Sequence, residues 1–130
     1  PWGAAPTAVE EMLRFDTPSQ LFERTATRDV EINGAAVLEG QKIAALLGSA
    51  NRDPEAFPDA DTFDVTRDPN PHIAFGAGIH FCLGAPLARL EMQQSVPMLA
   101  ERFPRIAAAD GAVQRDTFVL RGWDRVPVSV

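Results

Sequence analysis

Cys82 is the side chain of this sequence with the clearest capacity for chemistry. It lies in the run FGAGIHFCLG (residues 75–84), directly before a segment with helical spacing. A sulfur in that position meets unpaired backbone N–H groups and the positive end of the helix dipole, and both favour the thiolate. Gly76 and Gly78 permit a tight loop with unusual dihedral angles, and Gly84 lets a flat ligand come close. The loop is therefore suited to present a sulfur that ligates a metal or attacks an electrophile.

The residues alone leave four interpretations of Cys82 open. A zinc site needs about four ligands, and only Cys82, His80 and His72 are at hand besides carboxylates. A nucleophilic cysteine needs a base, which His80 could supply. A lone cysteine is usually a buried structural residue, although the flanking glycines argue against that role here. The fourth interpretation is a haem thiolate, one axial sulfur donor on iron, with Phe75 and Phe81 excluding water.

Two helices are predicted, one near the start of the chain and one directly after the cysteine run. Thr7 and Glu10 have the spacing of a capping box, with a hydroxyl at the N-cap and a carboxylate three residues later. They predict a helix over about 7–15, with apolar residues on one face. A second helix is predicted over about 85–102, where Pro97 should cost on the order of 3 kcal/mol unless the helix kinks or stops there.

Strand-like sequence fills much of the remaining chain. The Asn33-Gly34 pair separates two short apolar runs and is a strong hairpin signal. Residues 43–47 fit either a further strand or the entry to a short helix. Residues 117–120 and 126–130 indicate a last hairpin.

Residues 51–74 form the least regular part of the sequence. They carry neither a helical nor a strand period, and four of the prolines fall within them. Irregular segments of this length are uncommon inside compact domains. We therefore expect a long run of turns that is held together by packing.

Length and composition exclude several classes of function. The 130 residues are the length of one ordinary domain. The net charge of −6 disfavours nonspecific binding to nucleic acid or to an anionic membrane. One cysteine cannot form an internal disulfide, and the longest apolar run, 43–47, is far too short to cross a bilayer. Residues 1–15 lack the pattern of a signal peptide, so we expect a cytoplasmic protein.

Four motifs give the chain a family resemblance. FGAGIHFCLG resembles the haem-binding loop of the cytochrome P-450 family, with six positions agreeing over residues 75–84. Glu11 to Arg14 is similar to the Glu-x-x-Arg of its K helix, and residues 50–59 resemble its bacterial meander. Residues 86–91, PLARLE, match the family's sequence after the cysteine. The motifs occur in the right order over essentially the whole chain.

The resemblance implies a fold and a domain assignment. The expected fold class is mixed α+β and mainly α, the C-terminal part of the cytochrome P-450 fold. Its parts are the K helix, small antiparallel sheets, the meander, the cysteine loop and the L helix. Residues 1–130 would be a single haem-ligating portion that lacks the N-terminal part and the oxygen-binding I helix.

The resemblance also assigns a cofactor and its contacts. The cofactor would be haem b, with Cys82 as the proximal ligand of the iron. Glu11 and Arg14 would form the ion pair that braces the core beneath it, and no residue here is assigned a catalytic role. The remaining matched positions are His80 and Arg24 for the propionates, Phe75 to shield the sulfur, and Gly78 and Gly84 in the loop.

For the whole protein the resemblance implies a monooxygenase with two kinds of partner. It would take electrons from a ferredoxin-type donor and oxidise a small organic substrate, with no nucleic acid or membrane as a partner. A chain of these 130 residues alone would expose apolar faces, so a homodimer or a second chain supplying the distal half is expected.

Two departures from the family pattern favour an alternative, a non-catalytic haem-binding or interaction domain. The arginine that usually completes a triad with the Glu-x-x-Arg pair is replaced by Thr62. Either Arg67 substitutes for it or the triad is incomplete. Pro97 is also unexpected, and the absence of an I-helix counterpart in the sequence favours the same alternative.

Overall fold

The computed structural model describes residues 5–130, which form three α-helices and four two-stranded antiparallel sheets. Within that range no helix is both long and apolar enough to span a bilayer. The helices are α1 (Ala5–Phe15), α2 (Leu47–Ala50) and α3 (Ala85–Arg102). The paired strands are β1 (Leu21–Thr25) with β4 (Lys42–Leu46), β2 (Val30–Ile32) with β3 (Ala35–Val37), β5 (Ala107–Ala108) with β8 (Val128–Ser129), and β6 (Val113–Gln114) with β7 (Trp123–Arg125).

Helix α1 already includes Pro6 and Thr7, so the predicted N-cap at Thr7 is wrong. Pro6 explains the earlier start, because a proline in the first turn has no N–H to leave unpaired and its fixed φ suits the helix. The predicted apolar face is confirmed. Val9 and Leu13 are buried and pack with Ala74, the small apolar cluster on which the rest of the site is built.

The predicted hairpin is present as β2 and β3. Asn33 and Gly34 have φ of 48° and 79°, the left-handed conformation that a two-residue hairpin turn requires. The segment 43–47 satisfies both of its interpretations, because β4 ends at Leu46 and α2 begins at Leu47. β4 returns beside β1, so that these two strands flank the hairpin.

The hairpin predicted from 117–120 and 126–130 is wrong. The hydroxyl of Thr117 donates to the carbonyl of Leu120 at 2.5 Å and closes a turn there. Val128 instead lies opposite Ala108, which is distant in sequence. The alternation of apolar residues identified extended chain, but the choice of partner strand depends on contacts that local pattern does not encode.

Helix α3 continues through Pro97 to Arg102, so it does not end at the proline. Met98 and Leu99 beside the proline are 66% and 50% exposed. The carbonyl that Pro97 leaves without its helical partner belongs to Gln93, a residue that is only partly buried.

Residues 51–74, the turn segment, contain no helix or strand, as expected. Arginines from both sides hold it in place. Arg52 donates to the carbonyl of Phe15 through Nε at 3.1 Å and Nη2 at 2.7 Å, and its guanidinium stacks 3.7 Å from the Phe15 ring centroid. Asn51 is fully buried, donates to the hydroxyl of Thr17 at 2.8 Å and accepts the N–H of Ile73 at 2.8 Å. The turn segment is thus packed as a unit against the end of α1.

Arg14 is the centre of this packing, and its side chain is fully buried. All five of its N–H donors are used. Nε and Nη2 donate to the two carboxylate oxygens of Glu11 at 2.7 and 2.8 Å. The other three donors reach turn-segment carbonyls of Asn51 at 2.8 Å, Ala60 at 2.9 Å and Thr62 at 3.2 Å. A single guanidinium therefore fixes the path of the turn segment over α1.

Glu11 completes the network from the other side, and Arg67 is part of it. The carboxylate of Glu11, also fully buried, accepts the N–H of Asp64 at 2.9 Å and the amide of Asn70 at 3.0 Å. Nε of Arg67 lies 3.3 Å from Glu11 Oε2, and its Nη1 donates to the carbonyl of Pro58 at 2.8 Å. Arg67 therefore occupies the third basic position that Thr62 leaves open. Thr62 contributes only its backbone carbonyl to the network, and any residue at this position would supply that group.

The balance of these contacts sets the pKa of Glu11. Burial by itself raises it, but hydrogen bonds from Arg14 and the Asp64 N–H, with the charges of Arg14 and Arg67, outweigh burial. Together they lower the pKa of Glu11 from 4.5 to about 2. The carboxylate is therefore ionised in the folded chain at every pH at which the protein would function.

We expect Arg14→Lys to destabilise the chain by about 3–5 kcal/mol, because a lysine keeps the charge but has three donors in place of five and leaves buried acceptors unpaired. Urea unfolding followed by circular dichroism measures the loss. Arg115→Lys, at an exposed pair with Asp124, is the matched control and should cost no more than about 1 kcal/mol. Equal losses for the two variants would show that the buried network is not a main source of stability.

We also expect the stability that Glu11 contributes to depend on pH in one direction. Its folded pKa of about 2 lies below the ordinary 4.5, so the contribution is complete above pH 4.5 and disappears as the pH falls towards 2. The full change is on the order of 3 kcal/mol. A carbon NMR titration of the Glu11 carboxyl measures the pKa directly, and a midpoint near 4.5 in the folded chain would contradict the assignment.

Candidate functional site

The loop that carries Cys82 folds as a closed turn in front of α3. The N–H of Cys82 donates to the carbonyl of Phe75 at 3.0 Å, and a single 3₁₀ turn spans Gly78–His80. Gly76 has a φ of +74°, and a Cβ there would lie 3.1 Å from Cε2 of Phe22 on β1. Only glycine fits that backbone and that contact without a shift. We call residues 75–84 the cysteine loop.

The Cys82 sulfur lies on the exposed side of this loop, next to a helix start. A Cβ at Gly84, the residue that precedes α3, would be 3.8 Å from Sγ. Among residues 5–130 the N–H groups of Leu83 and Gly84 have no hydrogen-bond acceptor. The sulfur thus lies at the start of α3, next in sequence to two backbone donors that no acceptor in this range uses.

The two aromatic residues of the loop, Phe75 and Phe81, contact each other. Phe75 is half-buried against the Val9 and Leu13 cluster, and its ring meets the ring of Phe81 edge-on with centroids 6.4 Å apart. Phe81 is 49% exposed. Phe75 is therefore the residue that connects the loop to the core, and Phe81 extends the aromatic surface outward.

His80 and Arg24 are both exposed and come from different elements. Arg24 lies on β1, the strand whose Phe22 contacts Gly76, and its guanidinium is 5.7 Å from the Phe22 ring centroid. Within residues 5–130 its guanidinium makes one hydrogen bond, to the carbonyl of Glu23 at 2.9 Å. In the described part of the chain His80 forms no side-chain hydrogen bond or ion pair. Within residues 5–130 neither side chain is paired with an acidic residue, so both are available to a ligand.

The other chemical interpretations find no matching geometry in residues 5–130. No three His, Cys, Asp or Glu side chains there converge on a possible metal position. The His80 ring makes no hydrogen bond with the Cys82 thiol in that range, so the arrangement of a nucleophile and its base is not present. Glu11 and Arg14, which the sequence grouped with the site, are fully buried against the turn segment and form no hydrogen bond with residues 75–84.

A second polar cluster behind the cysteine loop was missed by the sequence analysis. Glu10 accepts Nε and Nη2 of Arg89 on its two oxygens at 2.7 and 2.8 Å, and its Oε2 is also 2.8 Å from Nε2 of His72. Nδ1 of His72 accepts the N–H of Ala74 at 3.2 Å. Because Nδ1 accepts, the proton of the neutral ring is on Nε2, which donates to Glu10.

Burial and charge act in opposite directions on this cluster. Burial lowers the pKa of His72, whose side chain is 2% exposed, although the hydrogen bond and charge of Glu10 act to raise it. The hydrogen bond from Arg89 lowers the pKa of Glu10 and burial opposes it, while the same pair raises the pKa of Arg89. Near neutral pH the cluster is therefore a carboxylate, a guanidinium and a neutral imidazole.

The signals for the missed residues were in the sequence but were ambiguous. The sequence interprets Glu10 as half of a capping box and offers His72 only as one of too few possible zinc ligands. Arg89 lies in the matched PLARLE run without a role of its own. Their meeting depends on how α1 packs on α3 and on the turn segment, which no local spacing encodes.

Comparison with known proteins identifies the family. The family model described as cytochrome P450 matches residues 5–114. The biotin biosynthesis cytochrome P-450 of Bacillus subtilis is 45% identical over 124 residues, 95% of this chain and 31% of that protein. The 6-deoxyerythronolide B hydroxylase of Saccharopolyspora erythraea is 46% identical over 128 residues, 96% of this chain and 32% of that protein.

The fold agrees with the sequence comparison. The crystal structure of P450BioI, in complex with an acyl carrier protein ligated by hexadec-9Z-enoic acid, superposes with a TM-score of 0.96 at 43% identity. The superposition covers 99% of this chain and 34% of that one. The three helices and small antiparallel sheets thus form a portion of the cytochrome P-450 fold, and the chain spans about a third of the length of the relatives that it matches. The chain belongs to the cytochrome P-450 family.

Proposed function

We propose that this chain is the C-terminal, haem-ligating portion of a haem-thiolate monooxygenase, with Cys82 as the ligand of the iron in haem b. The observation that carries the proposal is the exposed sulfur of Cys82 beside the free amides of Leu83 and Gly84 at the start of α3. Amides in that position can hydrogen-bond a thiolate ligand and tune its potential.

The surface around the sulfur has the chemistry that a haem would need. Ile79 and Leu83 are each 98% exposed and Leu87 is 59% exposed, so an apolar face borders the thiol. Arg24 stacks on Phe22, and Phe22 and the His80 carbonyl both lie against Gly76, so the two basic residues come from neighbouring elements. A largely apolar, planar group with two carboxylates fits such a surface, whereas a hydrated metal ion does not.

Each matched residue then has a distinct task. Arg24 and His80 bind the propionates, and Phe75 shields the sulfur from water. Gly78 has nothing within 4 Å of a Cβ position, and Gly84 leaves room beside Sγ, so neither side of the loop obstructs a flat ligand. Glu11 and Arg14 fix the scaffold on which the loop is built.

Bound haem would supply oxygen activation, so that one oxygen atom is inserted into a small organic substrate with electrons from a ferredoxin-type donor. The chain itself holds the cofactor and its sulfur ligand. The acyl carrier protein complex belongs to one relative, and an acyl chain is therefore one candidate among organic substrates for a whole protein containing this portion.

The alternative of a non-catalytic haem-binding domain loses two of its supports. Arg67 already takes the third basic position of the buried network, and α3 continues through Pro97. Neither departure from the family pattern thus weakens the scaffold beneath the cysteine loop, which favours the monooxygenase portion.

We expect the purified chain, loaded with haemin and reduced under carbon monoxide, to show a thiolate-type Soret band that Cys82→Ser abolishes. A serine hydroxyl is a poor iron ligand at neutral pH, because it remains protonated. Ala77→Ser places the same side chain at an exposed position of the same loop and should leave the band unchanged. A spectrum unaffected by Cys82→Ser, or failure to retain haem, would mean that these residues do not form the site by themselves.

We expect Arg24→Gln and His80→Gln each to weaken haem retention by roughly three- to tenfold, because an exposed charge-assisted contact with a carboxylate contributes about 1 kcal/mol. Transfer of haem to an apoprotein acceptor measures the release rate. Arg28→Gln, which removes an equally exposed arginine, is the matched control. If all three variants release haem at the same rate, the two residues do not bind the propionates.

A further inference from the structure

Glu10 contacts the segments on either side of the cysteine loop. On the entry side it accepts Nε2–H of His72, three residues before Phe75. On the exit side it accepts hydrogen bonds from Nε and Nη2 of Arg89, in the second turn of α3. The two oxygens of one carboxylate thus receive three donors from segments that lie on either side of Cys82.

Two further contacts connect Arg89 to Cys82 through Phe75. The Arg89 guanidinium lies 4.7 Å from the centroid of the Phe75 ring, within the range of a cation–π contact. The carbonyl of Phe75 accepts the N–H of Cys82 at 3.0 Å. A change in the position of Arg89 would therefore act on Phe75, whose carbonyl accepts the backbone N–H of Cys82.

We propose that Glu10 is a positioning residue, which fixes the conformation of the cysteine loop and the direction of the Cys82 thiol by holding His72 and Arg89 together. We call these three residues the Glu10 clamp. The proposal rests on the proposed function for the thiol's role as an iron ligand, but the clamp is a property of the chain without cofactor.

The chemistry of the clamp requires a carboxylate. Glutamine has nearly the same shape but one acceptor oxygen and an NH₂ group that only donates. In Glu10→Gln, one of the donors from Arg89 or His72 must lose its acceptor in a half-buried position. Arg89→Lys keeps the positive charge but cannot form the bidentate contact.

The test measures the loop without haem. Cys82 is the only cysteine, so the rate at which a thiol reagent modifies the chain reports on this residue alone. Amide hydrogen exchange at Cys82 reports on its bond to the Phe75 carbonyl. We expect Glu10→Gln and Arg89→Lys each to speed exchange at Cys82 by about tenfold, because a lost charge-assisted contact costs on the order of 1.4 kcal/mol. The labelling rate should change in the same variants.

Two comparisons separate positioning from a general loss of stability. Exchange in the β2–β3 hairpin, whose strands pair only with each other, should change by less than twofold in both variants. Glu91→Gln removes the same charge from an exposed position on α3 and should leave Cys82 exchange at the wild-type rate. Equal acceleration throughout the chain, or wild-type exchange at Cys82 in Glu10→Gln, would overturn the proposal.

The haem-loaded chain gives a second readout. We expect the Glu10→Gln variant to retain haem while a larger fraction of its carbon monoxide complex lacks thiolate character. If the wild-type chain itself binds no haem, the proposed function fails, but the exchange measurement still decides whether the clamp positions the loop. The two failures are thus distinguishable.

Discussion

The structure depends first on one buried interaction, the contact between the Arg14 guanidinium and the Glu11 carboxylate. Both side chains are fully excluded from solvent, and such a pair is tolerable only when every donor and acceptor finds a partner. The surplus donors of Arg14 reach the carbonyls of the turn segment, and Glu11 accepts from the same segment. A chain of turns with no helix or strand is thereby given a fixed path, and that path delivers Ala74 and Phe75 to the apolar face of α1.

Two adjacent residues of α1 then serve two different neighbours. Successive helical side chains differ by about 100° in direction, so Glu11 faces the turn segment while Glu10 faces α3 and His72. One helix thereby holds the entry to the cysteine loop, its exit and the long segment that precedes it. Because each carboxylate accepts from at least one arginine, both stay ionised, and the loop is held by charge-assisted hydrogen bonds.

The described residues bury polar side chains alongside a small apolar cluster. The largest fully buried side chains include Arg14, Glu11, Asn51 and Thr17, while Ile79 and Leu83 beside the thiol are almost fully exposed. The buried polar network fixes the turn segment, while the exposed Ile79 and Leu83 belong to the cysteine loop itself. A loop that is ordered by polar contacts between its neighbouring segments can leave its apolar side chains exposed for a ligand.

The sequence by itself determined the parts that depend on neighbours in the chain. The cysteine loop, the Asn33-Gly34 hairpin, the helical spacing of Val9 and Leu13 and the family followed from it, because turn chemistry and helix periodicity are local. Only the tertiary structure decided that Arg67 fills the position left by Thr62. It alone showed that Glu10 meets His72 and Arg89, 62 and 79 residues away, and that Val128 pairs with Ala108. These contacts join segments whose separation along the chain carries no pattern, so they exist only once the helices and turns have packed.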